Sequence, residues 1–400
     1  MDSKGHLALA DKYCAHNYSP VPVVIDRAEG SWAWDVEGKK YFDMMAAFGA
    51  INFGHGNPRF AKAATEQLKK MTMISRAFMH DQLSPFCEEL AKFCGLDVVL
   101  TMNSGAEAVE TAIKAARKWG ETVKGVPANK AEIICMENNF AGRTISIISF
   151  STEEHYRAGF GPFTPGFVVA PFGDIEALKK LVNSNTVAVL TEPIQGEGGI
   201  IIPPDGFLRD VRNLCDSANL LFIADEIQTG LCRTGEIFAC EHEKVKPDMY
   251  LLGKSLGGGI TPLSAVVGKK EVMDVFTPGT HGSTFGGNSF ACAIGREVLR
   301  FITEEKPHLQ ARVLGSRIVE RLHAMKSRKI EAIRARGLMV GIDIAPNYGK
   351  AKKLCLLLAE KGLLCKDTRE QTLRFTPPLT SKIEDLDWAM DQVESVLRVN

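Results

Sequence analysis

The sequence predicts an α/β fold, with a large domain on a mainly parallel sheet and a smaller α+β domain at the C-terminus. Two observations carry this. Short β-rich runs ending in polar or glycine residues alternate with stretches of helical periodicity, the pattern of strand–helix–strand crossovers. The character then changes after about Ser289, where helices and isolated strands replace the alternation. The length of 400 residues is more than one compact core usually takes.

The β-rich runs lie at 98–100, 133–135, 187–190, 221–224 and 249–252. Between them, "AEAVETAIKAARKW" keeps Val109, Ile113 and Ala116 at helical spacing, and "GFLRDVRNLCDSAN" reads as another helix. After Ser289 the pattern predicts a long helix, a strand near "GLMVGIDI", a helix over about 350–361, a short strand at "LRFTPPL" and a last helix. No internal repeat or low-complexity segment interrupts this order.

Composition narrows the function classes. Hydrophobic residues are 45%, charged residues 24% and the formal net charge is +0. Nucleic-acid binding normally shows a basic excess, so no such partner is expected. Ten cysteines include no C-x-x-C pair, and Cys87 and Cys94 are too widely spaced for zinc, so reduced thiols and no metal are expected. The N-terminal stretch has no long apolar core and no window approaches a membrane span. A cytoplasmic enzyme is the expectation.

In open α/β sheets, ligands bind beyond the carboxyl ends of the strands. The stretch "LLGKSLGGG" puts Lys254 at such an end. A P-loop would need glycine where Asp248 stands, so that reading fails. A lysine snorkelling into water is the plainer alternative. The third is a covalent amine: partial desolvation lowers the ammonium pKa toward a usable nucleophile, able to form a Schiff base with pyridoxal phosphate.

That chemistry needs an acid, an anion site and a carboxylate anchor. Asp225 ends the run "LLFIAD", 29 residues before Lys254, where a carboxylate can face a pyridinium; taken alone, it is equally a helix cap or an ion-pair partner. Ser104, Gly105 and Ala106 form a strand-to-helix turn whose N–H groups suit phosphate, or simply cap the helix. Ser283 and Thr284 in "HGSTFGGN" are a second hydroxyl-rich loop. Phe140 offers a stacking face, and Arg143 a grip for a carboxylate.

Together, "SGAEAVETAIKAAR", "NNFAGRT", "TEPIQGEGG", "ADEIQTGLCRTG", "LLGKSLGGG" and "HGSTFGGN" resemble the signature blocks of the class III, fold-type-I pyridoxal-phosphate aminotransferases. The resemblance runs in order from Tyr18 to Arg374. "AHNYSPVPVVIDRAEG", "ARKWGETVKGV", "GFGPFTPGF", "LRFTPPL" and "TSKIEDL" are most similar to members that move the δ-amino group of ornithine to 2-oxoglutarate. It implies a segment at 1–45 packing with the small domain, a cofactor domain at 46–288 and a small domain at 289–400. It also implies a homodimer with shared active sites.

By the same resemblance, Lys254 is the Schiff-base lysine and Asp225 the pyridinium partner. Gln228 lies near the ring hydroxyl, Ile227 beside the ring and Phe140 on its face. Gly105 and Ala106 form the phosphate turn, and Thr284 serves the partner subunit's phosphate. Tyr18 and Arg143 hold the amino-acid end of ornithine, while Glu197 and Arg374 form a switchable ion pair. Two positions depart from the family pattern: Phe48 replaces a tyrosine, and Ala141 a bulky tryptophan. The roomier pocket leaves lysine, N-acetylornithine or 4-aminobutyrate as alternative donors. A non-catalytic protein on this fold would be expected to lose Lys254 or Asp225.

Overall fold

The computed structural model describes residues 1–398. After a helix at Ser3–Tyr13 come three antiparallel strands, β1 (Ile25–Glu29), β2 (Trp32–Asp35) and β3 (Lys40–Asp43). The central sheet has seven strands. These are β4 (Val98–Met102), β5 (Glu132–Met136), β6 (Phe167–Ala170), β7 (Thr186–Thr191), β8 (Leu221–Asp225), β9 (Met249–Leu252) and β10 (Ser264–Gly268). Their spatial order is β4-β10-β9-β8-β7-β5-β6.

Strands β6, β5, β7, β8 and β9 pair in parallel, and β10 runs antiparallel to both β9 and β4. The sheet is therefore mainly parallel, with one reversed strand. Strands β7 to β10 are buried along their whole length. That burial on both faces is why they read as unbroken apolar runs rather than as alternation. The carboxyl ends of β4, β5, β7, β8 and β9 consequently meet along one edge.

The C-terminal part carries a second, antiparallel sheet: β11 (Ile330–Arg336), β12 (Met339–Ile344), β14 (Lys366–Thr368) and β15 (Thr372–Phe375), ordered β11-β12-β15-β14. Between β12 and β14 lies the two-residue strand β13 (Leu363–Leu364), which pairs in parallel with β3. The Phe42 and Met44 N–H groups donate to Gly362 O and Leu364 O at 2.8 and 2.9 Å. Trp32 packs its ring against Trp388 of the last helix, with centroids 5.1 Å apart.

The single long helix expected after Ser289 is two helices, Ser289–Glu305 and Pro307–Ala324. Lys306 turns left-handed at φ +50° and Pro307 opens the next helix. Proline has no N–H to continue the first helix and its ring clashes with the preceding turn, yet it suits a first position.

Two features join the C-terminal sheet to the rest of the molecule. Gly337, in the turn between β11 and β12, has φ +54°, and an added Cβ there would lie 2.2 Å from Thr234 C, so only glycine permits that approach. Arg233 is fully buried and among the described residues no carboxylate pairs with it; its guanidinium donates to Leu338 O at 2.9 Å, Pro377 O at 2.8 Å and Asn52 Oδ1. Asn52 donates in turn to Ser255 Oγ at 3.1 Å, one residue from Lys254. Among the described residues, no helix is long and apolar enough to cross a membrane.

Candidate active site

A cavity of about 190 Å³ opens where the parallel strands end. Gly105 and Ala106 follow β4, Phe140 follows β5, Glu192 and Glu197 follow β7, Asp225 ends β8, and Lys254 follows β9. Ile227 and Gln228 complete the wall.

Lys254 leaves β9 in the left-handed region, at φ +46°. Such a backbone is costly for a residue with a Cβ and persists only where the surroundings hold it. Its ammonium makes no hydrogen bond among the described residues. Burial lowers its pKa, Glu197, Asp225 and Glu192 oppose that shift, and Arg374 adds to it. A primary amine poised this way suits nucleophilic attack on an aldehyde.

Asp225 is buried, and burial pushes its carboxyl up to about 7. The Ile227 N–H at 3.1 Å and the Lys254 charge work against the shift. Its neighbour Glu226 is spent structurally: it accepts from Thr229 Oγ1 at 2.5 Å and from the Cys240 N–H at 2.9 Å.

Ser104 caps the Gly105–Trp119 helix in a reciprocal box. Its Oγ accepts from Glu107 N at 3.2 Å, and the Glu107 carboxylate takes the Ser104 and Asn103 N–H groups at 2.7 and 3.1 Å. The Gly105 and Ala106 N–H groups, at the first helical positions, have no intrahelical acceptor and are left for an anion. A Cβ at Gly105 would meet Ile227 at 3.1 Å, so this wall is closely packed.

Three residues of the cavity wall, Gly142, Glu192 and Thr229, have no role assigned from the sequence, and Glu192 is the titratable one. Glu192 follows the fully buried β7, and its carboxylate accepts the Phe140 N–H at 3.0 Å and the Gly196 N–H at 3.1 Å. Burial first, and the Asp225 charge second, push it up to about 8. The available signal was the one that singled out Asp225, a charged residue directly after an apolar run.

Beyond the cavity, Arg374 on β15 donates to Glu197 Oε1 at 2.5 Å and is nearly buried. The Phe48 ring covers this guanidinium, 5.1 Å from centroid to Cζ. Phe48 belongs to a left-handed run: Ala46, Ala47 and Phe48 have φ of +44°, +48° and +58°. Asp43 accepts the Met45 and Ala46 N–H groups at 2.8 and 2.9 Å, and Gln228 Nε2 donates to Phe48 O at 3.1 Å. These bonds hold three non-glycine residues in a region each would avoid.

Four more expected residues stand off the cavity wall. Ser283 Oγ accepts from Asn103 Nδ2 at 2.8 Å, which keeps its loop beside the phosphate-type turn. Thr284 is exposed, and Tyr18 is 80% exposed on the N-terminal segment. Arg143 lies outside as well, with its guanidinium Cζ 3.4 Å from the Tyr156 ring centroid and 5.4 Å from that of Phe140.

The donor set fits pyridoxal phosphate: a half-buried amine and a buried carboxyl, neither with a charged hydrogen-bond partner among the described residues, and helix N–H groups left for an anion in one closely walled cavity. Comparison with known proteins agrees in kind. The class-III aminotransferase family model matches residues 13–397. An ornithine aminotransferase of Brevibacillus brevis is 50% identical over 389 residues, 97% of this chain and 97% of that protein. A crystal structure of the ornithine aminotransferase of Toxoplasma gondii, described as showing partial occupancy of PLP at its active site, superposes with a TM-score of 0.97 at 42% identity. That match covers 99% of this chain and 94% of that one. An acetylornithine aminotransferase of Elizabethkingia anophelis gives a TM-score of 0.90 at 42% identity, covering 99% of each chain.

Proposed function

The chain belongs to the class-III aminotransferase family, a pyridoxal-phosphate-dependent group, and from that premise we propose that it moves the δ-amino group of ornithine to 2-oxoglutarate. The products are glutamate and glutamate semialdehyde, which cyclises to pyrroline-5-carboxylate. The observation that carries this reading is the Glu197–Arg374 pair next to the cavity that holds Lys254, with a second arginine, Arg143, that has no ion-pair partner among the described residues.

Pyridoxal phosphate, when bound, supplies an electron-withdrawing ring that stabilises negative charge at the carbon bearing the transferred amine. Lys254 Nζ would hold it covalently and, freed when the substrate amine displaces it, would take the proton from Cδ of ornithine. Asp225 would keep the ring nitrogen protonated. Gly105 and Ala106, with Ser104 and Ser283, would hold the phosphate, joined by Thr284 of the second subunit. Phe140 and Ile227 flank the ring, and Gln228 lies at its hydroxyl.

Two arginines divide the substrates. With Glu197 paired to Arg374, the α-carboxylate of ornithine goes to Arg143 and its α-amine to Tyr18, which presents the far amine for reaction. When Glu197 turns away, Arg374 takes the α-carboxylate of 2-oxoglutarate. A bidentate arginine–carboxylate contact in a desolvated site is strong enough to decide which end reacts.

The shared site calls for a homodimer. Thr284 beside the exposed Phe285, together with exposed Phe78 and Met79, supports an apolar face for a second copy. Residues 1–45, packed on the C-terminal portion through β3 and β13, are read with the small domain of 289–400, and 46–288 as the cofactor domain. Cytoplasmic location completes the reading.

The test is a panel of amino donors, namely ornithine, lysine, N-acetylornithine, 4-aminobutyrate and glutamate, each mixed with holoenzyme while the absorbance of bound cofactor is followed. Ornithine and glutamate should discharge it fastest. A clear preference for N-acetylornithine or 4-aminobutyrate would overturn the assignment.

A further inference from the structure

Arg143 is held in an unusual way for an exposed arginine. Its guanidinium lies 3.4 Å from the Tyr156 ring centroid, and Phe140 and Tyr156 meet edge to face at 6.2 Å. Among the described residues no carboxylate lies within ion-pair distance of Arg143, and nothing accepts its N–H groups. Ala141, two residues earlier, offers only a methyl group. Stacking uses the face of a guanidinium and leaves its edge, with the forked N–H donors, open to a carboxylate.

The platform is itself anchored. Tyr156 sits on the short helix Glu154–Arg157. Glu153, directly before it, pairs with Arg369 at 2.5 Å, and Arg157 Nη1 donates to Ser151 O at 3.0 Å. Arg369 lies in the turn between β14 and β15, and β15 carries Arg374. The two arginines are thus referenced to one hairpin.

We propose that Tyr156 is a positioning residue for donor specificity: its ring holds the Arg143 guanidinium so that the free edge receives the α-carboxylate of the diamino acid. This rests on the reading of Arg143 given above. A ring absent from position 156 frees a flexible side chain, which must then be ordered at each binding event, so the loss falls on KM for the diamine. Glutamate loses less, because its α-carboxylate has Arg374 and only its side-chain carboxylate turns to Arg143, whereas Arg143 is the sole carboxylate anchor for the diamine.

The experiment compares wild type, Y156L, Y156F and R143A as holoenzymes. It measures kcat and KM for the ornithine and glutamate half-reactions, and the cofactor content by absorbance. Y156L should lose about five- to thirtyfold in kcat/KM for ornithine, mostly through KM, the span expected for a cation–π contact of this kind. Its glutamate kcat/KM should fall by a clearly smaller factor, its cofactor content should stay near wild type, and Y156F, which keeps the ring, should recover most of the ornithine value. If R143A impairs ornithine but Y156L does not, or if Y156L lowers both donors equally, the role of Tyr156 is wrong while that of Arg143 stands. If R143A leaves ornithine unchanged, the underlying reading of Arg143 falls with it.

Discussion

Arg374 donates to Glu197 at 2.5 Å while the Phe48 ring lies 5.1 Å from the same guanidinium. The buried guanidinium next to the cavity is therefore masked by an internal acid. Glu197→Ala removes the mask and leaves Arg374 open to any incoming α-carboxylate. Glutamate should then gain on ornithine by at least about tenfold in kcat/KM, the scale of a charge-assisted hydrogen bond. An unchanged ratio between the two donors would show that the pair does not govern substrate choice.

Phe48→Tyr places a hydroxyl at the left-handed corner facing Arg374. With a good partner it contributes about 0.5–1.5 kcal/mol, or roughly two- to tenfold in binding. Preference for ornithine over lysine should sharpen by that factor. Donor ranking measured before and after the substitution decides it, and an identical ranking removes Phe48 from the specificity account.

Glu192 accepts two N–H groups from different segments, Phe140 and Gly196. Glu192→Gln keeps one acceptor and turns an amide NH2 toward the other donor, an opposition that costs about 1–3 kcal/mol in a buried site. The face of Phe140 and the loop before Glu197 both lose their brace. Titration of the cofactor-free variant with pyridoxal phosphate should show weaker binding, by roughly five- to a hundredfold. Wild-type affinity would mean that Glu192 is a bystander.

Burial pushes the Asp225 carboxyl up to about 7 and the Glu192 carboxyl up to about 8, both above ordinary carboxyl groups. A folded-state pKa above the unfolded value means that the folded form holds the extra proton between the two. Stability then falls as pH rises, from about 4 to about 7 for Asp225 and onward to about 8 for Glu192. Asp225→Asn removes the first titration. The Tm of the cofactor-free variant should fall less steeply than wild type between about pH 5 and about pH 7, and the loaded variant should lose most of its activity. Parallel Tm curves would contradict the buried, protonated state assigned to Asp225.

The parts of the site visible in the sequence are those written locally. Asp225, Lys254 and the Ser104–Ala106 turn each follow an apolar strand within one residue or a few, so the strand marks them. Glu192 carries the same mark directly after β7, but sequence reading assigns it no role. The reversed strand β10 lies in the short run "SAVVG", which carries no sign of its direction. The β3–β13 pairing joins residues more than 300 positions apart, with only two residues in β13. The left-handed run at 46–48 has alanine and phenylalanine where glycine or asparagine would have announced it; bonds from Asp43 and Gln228 impose it. Tyr156 reaches Arg143 only once the chain is folded.

The most direct test of the central claim is the fate of one nitrogen. Holoenzyme is given 2-oxoglutarate and ornithine labelled with heavy nitrogen at the δ position only, and the glutamate formed is examined by mass spectrometry. The account predicts that the label appears in glutamate while the cyclised pyrroline-5-carboxylate retains the unlabelled α-nitrogen. Unlabelled glutamate would mean that the α-amine reacts, and would contradict the division of carboxylates between Arg143 and Arg374.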